Sequence, residues 1–191
     1  MKTRIIAIVS LFFVLFAAPS QGADKKDDFL LFSDALARVN QDLTGISIDE
    51  NQVVLIENLK QWLKDSGRRE KLSDLQNKNA FVFPRASGGN KPPPYFPIFF
   101  RLDTKFWKDA KDLSDRERPV AVVATASIIV HEFCHVMGQP DEDTCRGIEI
   151  QYLEGLQVSG QFVGKAAEAY LKNVRATLTE EQQKRKRIAL R

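Results

Sequence analysis

The stretch Pro119-Val120-Ala121-Val122-Val123-Ala124-Thr125-Ala126-Ser127-Ile128-Ile129-Val130-His131-Glu132-Phe133-Cys134-His135-Val136-Met137-Gly138 decides how the rest of the chain is read. From Val120 to Val130 it is apolar on nearly every face, the pattern of a helix buried on all sides. Pro119 suits a first helical position, where its missing N–H costs nothing. Gly138 ends the pattern, with Pro140 just beyond. Two histidines and a glutamate at the end of a buried helix are costly unless satisfied. The end of this helix is therefore where chemistry is expected.

Reading outward on the C-terminal side, Asp141 can cap a next helix that carries Ile148, Ile150, Leu153 and Leu156. If the chain reverses near Gln139, residues 119–158 form an antiparallel helix pair. A further helix covers about 161–178, and the basic run 184–187 reads as a solvated face. On the N-terminal side, Asp27 and Asp28 lead Phe29, Leu30, Phe32, Leu36 and Val39 into a helix ending near Gln41, and Gly45 breaks it. Asp49 and Glu50 then lead Val53, Val54, Ile56, Leu59, Trp62 and Leu63, read as a second helix ending near Gly67, with a short helical piece at 70–76. Residues 81–83 read as a short strand, 84–97 as a loop dense in proline and glycine, and 98–102 as a second strand whose leading Pro97 suits an edge position. The expected fold is α+β, mostly helical, with a small sheet beside the motif helix. Its parts are a helical stretch at 24–80, the 84–97 loop and the 119–158 pair, all within a single domain spanning 24–191.

The length of 191 residues suits one domain. Formal net charge is +3, of which Lys2 and Arg4 contribute two, so bulk charge makes no case for nucleic acid or an anionic membrane. Lys2 and Arg4 precede an apolar run from Ile5 to Ala18, followed by small residues near Ser20, Gly22 and Ala23. This reads as a cleaved signal peptide over residues 1–23, with the run too short for a comfortable membrane span. The expected location is periplasmic or secreted, from a bacterial cell, with no membrane association after cleavage. Two cysteines, Cys134 and Cys145, cannot make a disulfide framework, although a bond between them would pin the helix pair at its site. Cys134 alone reads as a small buried apolar side chain.

His131 and His135 are the only histidines in the chain. Four apart on a helix, they share a face, and both rings can reach one ion at the roughly 2.0–2.1 Å of zinc–nitrogen bonds. Glu132 is then placed to take a proton from a water that the zinc makes acidic, as the general base of a hydrolysis. A catalytic zinc takes about three protein ligands and leaves one position open. With both histidines used, the third ligand must be an oxygen or sulfur donor. Helical rise favours Glu142, then Asp141, with Glu149 farther back. For Asp141 an ordinary helix N-cap competes with the ligand role.

His131-Glu132-Phe133-Cys134-His135 resembles the helix motif of the zincin metallopeptidases. Its continuation through Gly138 to Asp141 resembles the metzincin pattern in its aspartate-ligand, snapalysin-like variant, which implies Asp141 as the third ligand. The methionine that metzincins carry downstream is absent, since the only methionines are Met1 and Met137. Glu142-Asp143-Thr144-Cys145 is similar instead to the glutamate motif of minimal gluzincins, which implies Glu142. Either resemblance implies a zinc-dependent peptidase acting on a peptide or protein substrate. Arg146, Tyr152 and Tyr95 are candidates for stabilising the transition state. Residues 98–102 are a candidate sheet edge for a substrate strand, and the 84–97 loop a candidate cover for the cleft. The alternative is a catalytically degenerate protein of the same fold that binds zinc or a partner in the envelope. A third reading gives the basic tail an acidic partner and makes the histidines incidental.

Overall fold

The computed structural model describes residues 24–45, 47–68, 70–83, 97–113 and 116–189. The signal-peptide reading, nearly all of the 84–97 loop and Tyr95 lie outside them. In chain order the elements are α1 (Asp24–Asp42), a 3-10 turn (Glu50–Gln52), β1 (Val53–Ile56), α2 (Leu59–Asp65), α3 (Leu72–Leu75), β2 (Ala80–Phe81), β3 (Ile98–Arg101), α4 (Lys105–Lys111), α5 (Arg118–Val136), α6 (Glu142–Val158) and α7 (Lys165–Ala189). The chain is α+β, mostly helical with one three-stranded sheet.

Helix α5 is the axis of the fold. It packs against α1, α4, α6, α7 and the sheet, which is why its sequence is apolar all round rather than striped. Leu31, Phe32, Ala35, Leu36 and Val39 line the buried face of α1 and join Ala121, Ile128, Ile129 and Val130 of α5 in the main core. Phe100 of β3 is fully buried there, with edge-to-face contacts to Phe32 at 5.4 Å and Trp107 at 5.3 Å between ring centroids. A second cluster, built on Leu153, Phe162 and Leu171, fixes α6 and α7 against Val123 of α5. So anchored, the long helix α6 packs beside α5.

Two expectations about the strands are corrected. The run from Asp49 to Leu63 is not one helix: Val53–Ile56 is a strand and the helix begins at Leu59. β-branched Val53, Val54 and Ile56 favour extended backbone, and Asn58 caps α2 by accepting the Gln61 N–H at 2.9 Å. The sheet order is β1-β3-β2, with β1 parallel and β2 antiparallel to β3. The strand at residues 98–101 is thus central, paired on both sides, and cannot offer its edge to a substrate. Pro97 lies just before the strand and takes no ladder bond from it. Helix α4 is an element that the sequence reading omitted. Its signal was Thr104, whose hydroxyl accepts the Trp107 N–H at 3.2 Å as an N-cap.

Candidate metal centre

The centre forms where α5 ends and α6 returns beside it. Gly138 has φ of 96°, a left-handed conformation that ends α5 and lets the chain reverse. A Cβ at Gly138 would meet nothing within 4 Å, so backbone angle rather than space calls for glycine. The Gln139 N–H closes the turn on the Cys134 carbonyl at 3.2 Å. Asp141 then starts α6, its carboxylate accepting the Thr144 N–H at 2.9 Å and the Thr144 hydroxyl at 2.6 Å. Asp141 is therefore the helix cap and stands outside the ligand group. The N-cap role that the sequence reading weighed against a ligand role is the one the structure shows for Asp141.

One residue on, Glu142 faces both histidines. Its two oxygens lie 3.1 Å from His131 Nε2 and 3.1 Å from His135 Nε2. The imidazole centroids are 5.0 Å apart with planes at 78°. One donor atom from each of the three residues lies within 4.8 Å of the others, so the group could hold a metal ion. Two imidazoles and a carboxylate suit first-row divalent ions such as zinc. His135 is also oriented for the role: its Nδ1 donates to the Gln139 carbonyl at 2.7 Å, which leaves Nε2 as the atom turned to the group.

Electrostatics describe the same convergence. Burial pulls the His131 pKa down, but the Glu142 and Glu149 carboxylates more than offset it and push it up to about 9. Hydrogen bonding to Glu142 raises His135 against its own partial burial. The hydrogen bonds from His131 and His135 hold Glu142 well below the usual carboxylate range. A metal ion held by this group would compete for the same Nε2 atoms that these protons occupy.

Behind this group lies Glu149, two helical turns after Glu142 on the same face of α6. It is fully buried. Its Oε2 lies 3.5 Å from His131 Nδ1, long for a hydrogen bond but close for an ion pair. Ser127 Oγ donates to Oε1 at 3.1 Å, and Arg146 Nη1 donates to Oε2 at 2.5 Å. Arg146 also reaches Glu142 Oε1 through Nη2 at 3.3 Å, so it links the two carboxylates. Glu149 accordingly backs His131 rather than joining the ligand group.

Glu132 is buried on the wall of a cleft of about 430 Å³ that His135 and Glu142 also line. Burial pushes its pKa up, against the pull of His131, His135 and Lys78. Of the candidate transition-state donors, Arg146 is engaged with the two carboxylates and the Tyr152 hydroxyl donates to Asp42 Oδ2 at 2.7 Å. Cys134 and Cys145 are free, buried thiols. Cys145 Sγ lies 3.4 Å from His135 Nδ1, and burial together with the neighbouring Cys134 pushes the Cys145 thiol up. Lys78, also on the cleft, escaped the sequence reading: it carries no motif, and only tertiary folding brings it there. Comparison with protein-family models, with curated proteins and with solved structures returns no match to this chain.

Proposed function

We propose that the chain is an exported, zinc-dependent hydrolase of the metallopeptidase type, acting on a peptide or protein. The observation that carries this reading is the convergence of His131, His135 and Glu142 beside a buried Glu132 that lines an open cleft. Three protein ligands with one open position are the pattern of catalytic rather than structural zinc. When bound, zinc supplies Lewis-acid activation of water and of the scissile carbonyl.

The chain's own residues do the rest. Glu132 takes the proton from the attacking water, and its burial raises its affinity for that proton toward the range a general base needs. It holds the proton at a carboxylate oxygen and passes it to the leaving amine. His135 is kept in register by the Gln139 carbonyl, and the Glu149 carboxylate lies 3.5 Å behind His131 Nδ1. A purely metal-storing site needs no carboxylate at position 132, so a buried glutamate there favours turnover over simple binding.

The test is Glu132→Gln, assayed on a mixed peptide library beside metal analysis. The variant should keep its zinc and lose about 10²–10⁴ in rate, the usual worth of a general base. Zinc retention with unchanged turnover, or no turnover in the unaltered protein, would remove the hydrolase reading and leave a zinc-binding protein.

A further inference from the structure

Hydrolysis at this site needs a positive group for the oxygen on which charge develops, and the cleft contains one that the ligand network does not use up. Lys78 lines the cleft with Glu132, His135 and Glu142. Its backbone is fixed by an unusual device in the sheet. Arg101, at the end of central strand β3, is only 6% exposed. Its Nη1 donates to the carbonyls of Leu75 at 2.9 Å, Gln76 at 2.8 Å and Lys78 at 3.0 Å. Its Nε donates to Asp103 at 2.8 Å, and its backbone N–H to the Asn79 carbonyl at 2.9 Å. A buried guanidinium costs several kcal/mol unless its donors are satisfied. Here it is satisfied by tying down the turn that carries Lys78. The turn is tied by these bonds while the Lys78 side chain stays exposed at the cleft.

We propose that Lys78 is the catalytic cation that takes the negative charge developing on the substrate carbonyl oxygen. This rests on the hydrolase reading above. As the water oxygen bonds to the carbonyl carbon, the C–O π pair moves onto the carbonyl oxygen and Glu132 takes the water's proton. When the C–N bond breaks, its pair goes to nitrogen, which receives the proton from Glu132. Lys78 keeps its own proton throughout and acts by charge and hydrogen bonding. Val82, Phe83, Val136 and Pro140 make the remaining wall largely apolar, so a charge pair there is less screened than in bulk water. Arg146 is already engaged with Glu142 and Glu149, and the Tyr152 hydroxyl with Asp42, which leaves Lys78 as the cleft's cation for the role among the described residues.

The experiment is calorimetric binding of a phosphoryl dipeptide of leucine and phenylalanine, whose anionic tetrahedral phosphorus mimics the transition state. It is run on zinc-loaded protein, on Lys78→Met and on Lys78→Arg, with zinc measured in each sample. Lys78→Met should keep its zinc and bind the probe about 10–100-fold more weakly, while Lys78→Arg recovers most of the loss. In turnover, Lys78→Met should lower kcat with little change in KM. Probe affinity within twofold of the unaltered protein in Lys78→Met, or a loss confined to KM, would overturn the role of Lys78 while leaving the metal site intact. Absence of zinc from the unaltered protein would overturn the hydrolase reading first and the role of Lys78 with it.

Discussion

Glu149 Oε2 lies 3.5 Å from His131 Nδ1 at the fully buried base of the site. A carboxylate behind a ligating imidazole fixes its orientation and raises its basicity. Glu149→Gln should therefore weaken zinc binding by about 10–100-fold without removing a ligand. A competition titration against a chromophoric chelator measures this. Unchanged affinity would make Glu149 a packing residue held by Ser127 and Arg146.

Protons and metal compete at the same nitrogens, which sets the pH dependence. In the metal-free protein His131 is pushed up to about 9 from 6.5. A raised pKa contributes stability that is fully present below about 6.5 and is lost as pH rises through about 9. By the free-energy value of such a shift, the loss is on the order of 3 kcal/mol. Glu142 is lowered, so its contribution is present above 4.5 and is lost as pH falls. Urea unfolding of the metal-free protein should show greatest stability between the two ranges. Zinc affinity should climb from pH 6 toward 9, by about tenfold per pH unit while one proton is displaced. A flat zinc affinity over that range would contradict protonation of the ligand nitrogens.

Asp141 and Glu142 are adjacent but do different work. Asp141→Ala removes the N-cap of α6 and should cost about 1 kcal/mol of stability while zinc stoichiometry is unchanged. Glu142→Ala should lose the metal. The pair, compared by denaturation and metal analysis, separates cap from ligand, and loss of zinc in Asp141→Ala would reverse the assignment.

Much of this arrangement was legible in the sequence because it depends on short-range spacing. His131 and His135 share a face by helical period alone, and Gly138 and Pro140 mark the reversal that brings Glu142 to them. Glu149 was visible as a candidate, but seven residues separate it from Glu142, and only the packing of α6 on α5 reveals that it backs His131 instead of binding beside it. The strand at Val53–Ile56 was hidden because the apolar pattern of Leu59, Trp62 and Leu63 continues it at helical spacing. The cap at Asn58 was the overlooked break. The central place of β3 and the role of Arg101 depend on pairings between segments far apart in sequence. Lys78 reaches the cleft by the same long-range route, which no local pattern encodes.

The central claim is that His131, His135 and Glu142 hold one zinc ion. Elemental analysis of the purified protein, beside His135→Ala prepared identically, tests it most directly. The account predicts one zinc per chain, lost in the variant. No zinc before or after addition of the metal, or zinc retained in full by His135→Ala, would contradict it.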